Sequence, residues 1–83
     1  MTYRIILTKT AIKDLKQLPK NIQPRIIEKL NDMKHDPFKN ARKLIDPRIG
    51  SYRVRVGDYR IVFDVDDDKV VILRIGHRKH IYR

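Results

Sequence analysis

The chain has 83 residues and carries a formal net charge of +10, with twenty Lys and Arg against ten Asp and Glu and three His. A chain of this length forms one domain, close to the lower limit for a core that stabilises itself unaided. There is no cysteine, which excludes disulfides, thiolate nucleophiles and Cys-based zinc sites. His35, His77 and His80 are too scattered to make a metal set, and no cofactor is expected.

Tyr3 to Leu7 is a short apolar first strand. Thr8 caps the following helix, on which Ala11, Ile12, Leu15 and Leu18 share one face at helical spacing. Lys9, Lys13, Lys16 and Lys20 take mainly the other. Pro19 ends that helix. A second helix begins near Asn21, with Pro24 in its first turn and an apolar stripe of Ile22, Ile26, Ile27, Leu30 and Met33. The short Pro19-Lys20 junction predicts an antiparallel helical hairpin. Asp36-Pro37 closes the second helix. Residues 38–50 read as irregular and basic, tacked to the core by Phe38, Leu44 and Ile49.

The stretch from Ser51 to Val65 alternates on either side of Gly57-Asp58, the pattern of a hairpin with a two-residue turn. That turn fixes the register. Val56 faces Tyr59, Val54 faces Ile61 and Tyr52 faces Phe63 on a core side, whereas Arg55 faces Arg60 and Arg53 faces Val62 on the other. Directly opposed like charges weaken a sheet by a few tenths to ~1 kcal/mol. Either the arginines are a solvated pair on an open face or they wait for an anion.

Asp66-Asp67-Asp68 reads as a three-residue solvated turn, since no further ligands follow at calcium-loop spacing. The last strand, Lys69 to Ile75, then puts Val71, Leu73 and Ile75 on the core side and Arg74 beside Arg60. If the extended backbone continues, Arg78 joins the same surface. The predicted architecture is α+β, in the order β-α-α-β-β-β, with the helical hairpin packed on one face of an antiparallel sheet and the arginine face left open.

Charge type changes along the chain. Up to Asn40 there are seven Lys and two Arg; from Ala41 onward there are eight Arg and three Lys. Arg on a sheet suits bidentate phosphate or carboxylate recognition. The strong positive field favours nucleic acid, an acidic protein or an anionic membrane surface. No run is long and apolar enough for a membrane span or signal peptide, so a cytoplasmic protein is expected. No Ser-His-Asp set or carboxylate pair is visible. An enzyme built from these residues would use cations to stabilise charge on an RNA phosphate attacked by its own 2′-OH. Arginine stays protonated, so a base or acid would be Tyr82, His77, His80 or Lys43, or come from a partner. Tyr52 and Tyr59 fall on the core side; Tyr82, in a polar tail, is the better candidate for a functional tyrosine.

Lys43-Leu44, the run from Tyr52 to Phe63, Gly76-His77-Arg78 and Tyr82-Arg83, with the Leu18-Pro19-Lys20 junction, resemble the RelE/ParE superfamily of toxin–antitoxin toxins over nearly the whole chain. The resemblance implies a microbial-ribonuclease-like fold and an acidic, RelB-like antitoxin partner. For the RelE branch it implies cleavage of mRNA in the ribosomal A site without metal, and hence contact with the ribosome. For the ParE branch it implies non-enzymatic inhibition of DNA gyrase. On the RelE reading the catalytic residues are Arg53, Arg60, Arg78 and Tyr82, with Lys43, Arg55, Arg74 and His77 binding RNA.

Overall fold

The computed structural model describes residues 2–46 and 48–81. Strand β1 (Arg4–Leu7) leads into helices α1 (Lys9–Gln17) and α2 (Gln23–Met33), followed by strands β2 (Arg42–Lys43), β3 (Tyr52–Val56), β4 (Tyr59–Asp66) and β5 (Lys69–His77). The five strands form one sheet in the order β1-β5-β4-β3-β2. The helices pack on one face of it, with Ala11, Ile26, Leu30 and Met33 buried against Val54, Ile61, Phe63, Val70, Ile72 and Ile75.

Local chemistry sets the helix ends. Thr8 accepts a hydrogen bond from the Ala11 N–H and supplies the cap,. Its own hydroxyl donates to the Ile72 carbonyl at 2.9 Å, so the cap also ties α1 to β5. Leu18 is extended, ψ 152, as the residue before proline prefers. Pro24 lies in the first turn of α2. The apolar stripes predicted for both helices are wider than the buried ones: Ile12 is 42% and Ile27 48% exposed.

The β3–β4 register is the predicted one, with Tyr52 opposite Phe63, Val54 opposite Ile61, Arg55 opposite Arg60 and Val56 opposite Tyr59. Gly57 has φ 60, as the tight turn demands. A side chain there would also displace the Arg25 guanidinium, whose Nη2 would lie 2.9 Å from an added Cβ.

Three features depart from the predicted architecture. The sheet is mixed rather than wholly antiparallel, because β1 runs parallel to β5, Arg4 against Lys69 through Leu7 against Ile72. The 38–50 stretch contains the short strand β2, with Arg42 opposite Arg53 and Lys43 opposite Tyr52. The β4–β5 turn has two residues, not three, since Asp66 pairs with Lys69. Asp67 supplies the positive φ, 58, which Asp tolerates better than most residues.

The shorter turn puts Val70 and Ile72, not Val71 and Leu73, on the core side with Phe63. A bulge between Val62 and Phe63 then adds one residue on β5, and Ile75 still faces Ile61 while Arg74 faces Val62,. Helix α1 secures this irregularity. A single Asp14 oxygen, Oδ2, accepts from Arg74 Nε at 2.9 Å and from the Ile75 N–H at 3.0 Å. Replacing Asp14 with alanine should cost about 1–3 kcal/mol by leaving both donors without this acceptor. Asparagine, which keeps an acceptor, should lose less. A urea midpoint lowered in the order alanine below asparagine below the native chain checks it.

Candidate nucleic-acid interface

The sheet face away from the helices carries a ladder of cations. Arg55 pairs directly with Arg60, and Arg42 pairs directly with Arg53. Partners in a ladder project to the same side, so all four arginines share this face. Arg42 and Arg55 are exposed; Arg53 and Arg60 are half-buried. Arg42, Arg53 and Arg55, with Asn40 and Ala41, line a concavity of about 330 Å³. Guanidinium forks converging from adjacent strands suit bidentate contact with phosphate oxygens.

Two segments frame this surface, which is narrower than the open face expected from the sequence. On one side the loop before β3 lies against the sheet. A Cβ on Gly50 would stand 2.6 Å from Val62 Cγ1 and 2.9 Å from Leu73 Cδ1, and Val62 is fully buried. The Asp64 carboxylate holds the loop by accepting the Ser51 N–H at 2.7 Å. Arg48, also in this loop, turns its charge to Asp46 at 2.9 Å. That guanidinium holds the Asp46 carboxyl below its usual range.

On the other side the chain turns back after β5. The Arg78 N–H donates to the Asp58 carbonyl at 2.9 Å, which ties the segment to the β3–β4 turn. Ile81 is 2% exposed. It sits over Gly76, where an added Cβ would be 3.7 Å from that of Ile81. Because Gly76 is the ladder partner of Arg60, Ile81 is seated on the arginine side.

A family model described as "ParE toxin of type II toxin-antitoxin system, parDE" matches residues 5–82. The chain belongs to the RelE/ParE family of type II toxin–antitoxin toxins. Toxin RelG of Mycobacterium tuberculosis is 36% identical over 86 residues, spanning 100% of this chain and 99% of that one. Toxin RelE3 of Methanocaldococcus jannaschii is 36% identical over 83 residues, covering 95% and 94%. Among solved structures, the toxin–antitoxin complex RelBE2 from Mycobacterium tuberculosis gives a TM-score of 0.84 at 33% identity, covering 94% of this chain and 100% of that one. The archaeal RelE–RelB complex from Pyrococcus horikoshii gives 0.77 at 32% identity, covering 96% and 99%.

The toxin fold brings together some of the residues singled out in the sequence and separates others. Arg53, Arg55 and Arg60 share the cationic face, and the exposed Arg78 follows the last strand beside the Asp58 turn. Arg74 pairs with Val62 instead of Arg60 and so starts from the same side as Arg60, at the next pair along on that side, but its guanidinium is held by Asp14. Lys43 is the ladder partner of Tyr52 and therefore belongs to the helix side of the sheet. His77 pairs with Tyr59 on that same side. Their rings meet edge to face at 5.4 Å, and the His80 ring lies 5.8 Å from that of His77. His77 Nδ1 accepts the Lys79 N–H at 3.1 Å. Tyr82 lies outside the described residues.

Arg42 is the residue of the concavity that sequence reasoning missed. Only the β2–β3 pairing shows which way it points, and a two-residue strand has too little alternation to announce itself. Among the described residues no group of three or more His, Asp or Glu side chains is arranged to hold a metal ion. No helix among them is long and apolar enough to cross a membrane.

Proposed function

We propose that this toxin is a cytoplasmic, ribosome-dependent endoribonuclease that cuts mRNA in the ribosomal A site and so halts translation. The observation that carries the reading is the double arginine ladder, Arg55 with Arg60 and Arg42 with Arg53, on one face of the sheet. A fold selected only for stability gains nothing from two like-charge pairs side by side. A fold that holds an RNA backbone gains an anion site.

In the reaction the 2′-OH of one nucleotide loses its proton and its oxygen bonds to the adjacent phosphorus. The bond to the 5′ oxygen breaks, leaving a 2′,3′-cyclic phosphate, and the departing oxygen takes up a proton. Arg42, Arg53 and Arg55 grip the phosphates, Lys43 and Arg74 add to the basic surroundings, and Arg60 and Arg78 stabilise the charge that builds on the attacked phosphate. For proton transfer the reading favours Tyr82. It is the tyrosine that the family resemblance puts forward, and Lys43 and His77 start from the side of the sheet opposite Arg60. The ribosome supplies groups the toxin lacks and aligns the mRNA.

The natural partner on this reading is an acidic, RelB-like antitoxin, matched to the +10 charge. An apolar groove of about 310 Å³ lined by Ile5, Leu7, Leu15, Ile27 and Leu30, with Asn31 and Lys34, offers it an anchoring surface on the helix side. The family match by its ParE description favours a second reading, inhibition of DNA gyrase without RNA cleavage.

Primer extension on mRNA in a translating extract decides between them. The first reading expects toxin-dependent breaks within codons, absent when translation is blocked and suppressed by the antitoxin. Intact mRNA together with inhibited supercoiling by purified gyrase would replace it with the second.

A further inference from the structure

We infer that Phe38 is a stacking site for a nucleobase of single-stranded RNA, on the opposite side of the β2 edge from the arginine concavity. Sequence patterning assigned Phe38 to packing, yet 45% of it remains exposed. It is held firmly all the same. Its ring meets Tyr52 edge to face at 5.4 Å, and Tyr52 stacks on the buried Phe63 at 5.6 Å. The Phe38 N–H donates to Asp36 Oδ1 at 3.1 Å, and its carbonyl accepts the Ala41 N–H at 3.1 Å. Pro37 before it is fully buried, and Asn40 closes the turn at φ 62. Presenting this ring therefore costs little conformational entropy on binding.

The surroundings select the ligand. Lys39 and Lys43 are both exposed, and Lys43 is the ladder partner of the Tyr52 on which Phe38 rests. Asn40 and Ala41, next along the chain, form the wall of the concavity that contains Arg42, Arg53 and Arg55. Strand β2 is only two residues long and sends Arg42 to one side and Lys43 to the other. A polynucleotide held by the arginines can cross this narrow edge, keep its phosphates near cations throughout, and lay a base on Phe38. Aromatic stacking tolerates any base, because each offers a π-face.

The inference rests on the RNA reading above, and the experiment separates the two. The chain has no tryptophan, so Phe38→Trp creates a single fluorescent reporter at the proposed site. Labelled oligoadenylate is titrated with anisotropy and tryptophan emission recorded together, and inorganic polyphosphate serves as the base-free probe. Binding accompanied by quenching with oligoadenylate, and no quenching with polyphosphate, is the expected result. Phe38→Leu, which keeps apolar bulk without a π-face, should weaken oligoadenylate binding at least about fivefold and leave polyphosphate binding unchanged. Oligoadenylate that binds without quenching overturns the stacking site and leaves the arginine face standing. Quenching only by an acidic antitoxin peptide overturns it in favour of a protein contact. No binding by anisotropy at all overturns the stacking site, and the RNA reading then stands or falls on the primer-extension result alone.

Discussion

Replacing Arg60 with alanine is expected to lower cleavage of ribosome-bound mRNA about a hundredfold to a thousandfold, the usual loss when one donor to a developing oxyanion is removed. Arg78→Ala should fall in the same range. The double variant should lose less than the product of the two, since both act on the same charge. Loss of the like-charge pair with Arg55 should offset part of any change in stability,. Primer extension gives the first quantity and thermal unfolding the second. Growth arrest on expression should be relieved by either change. Wild-type cleavage by both single variants would refute the assignment of roles.

Gly50→Ala should be the most destabilising single-methyl substitution in the chain. The residue has φ 156, where side chains other than glycine's are strained by about 1–3 kcal/mol. The added methyl would also be driven to 2.6 Å from Val62 Cγ1 and 2.9 Å from Leu73 Cδ1. Overpacking of this kind costs a further ~1–3 kcal/mol. A total on the order of 3 kcal/mol is a large part of the roughly 4–12 kcal/mol that a chain of this size commands. It should lower the melting temperature by more than about 10 °C. Serine should behave like alanine. A melting temperature unchanged by Gly50→Ala would show that the loop does not press on the outer sheet face as described.

The arginine ladder was legible because the Gly57-Asp58 turn pins β3 to β4, and one pinned turn orients every side chain in the hairpin. The neighbouring hairpin was harder to read. Three consecutive aspartates permit a two-residue or a three-residue turn, and no glycine marks the position with positive φ, which Asp67 takes. The resulting slip exchanged Val70 and Ile72 for Val71 and Leu73 in the predicted core, and the bulge near Leu73 corrected the parity before Ile75. The parallel pairing of β1 with β5 joins residues about 65 positions apart, and no local pattern encodes a contact of that range. Arg42 was missed for a related reason, because the direction of a side chain on a two-residue strand is decided by its neighbour. The Asp14 contact to Arg74 and Ile75 likewise depends on where α1 comes to rest beside the edge of β5.

Among the described strands β5 is the last to be synthesised, yet it lies between β1 and β4. While the nascent chain is still short of Lys69, β1 has no strand to join and the hairpin of β3 and β4 has no neighbour on its inner flank. Contacts of such long range form late, and here the chain that would supply them is still threaded through the translating ribosome. The sheet therefore closes only once β5 has been made, and both of its halves wait on that one strand.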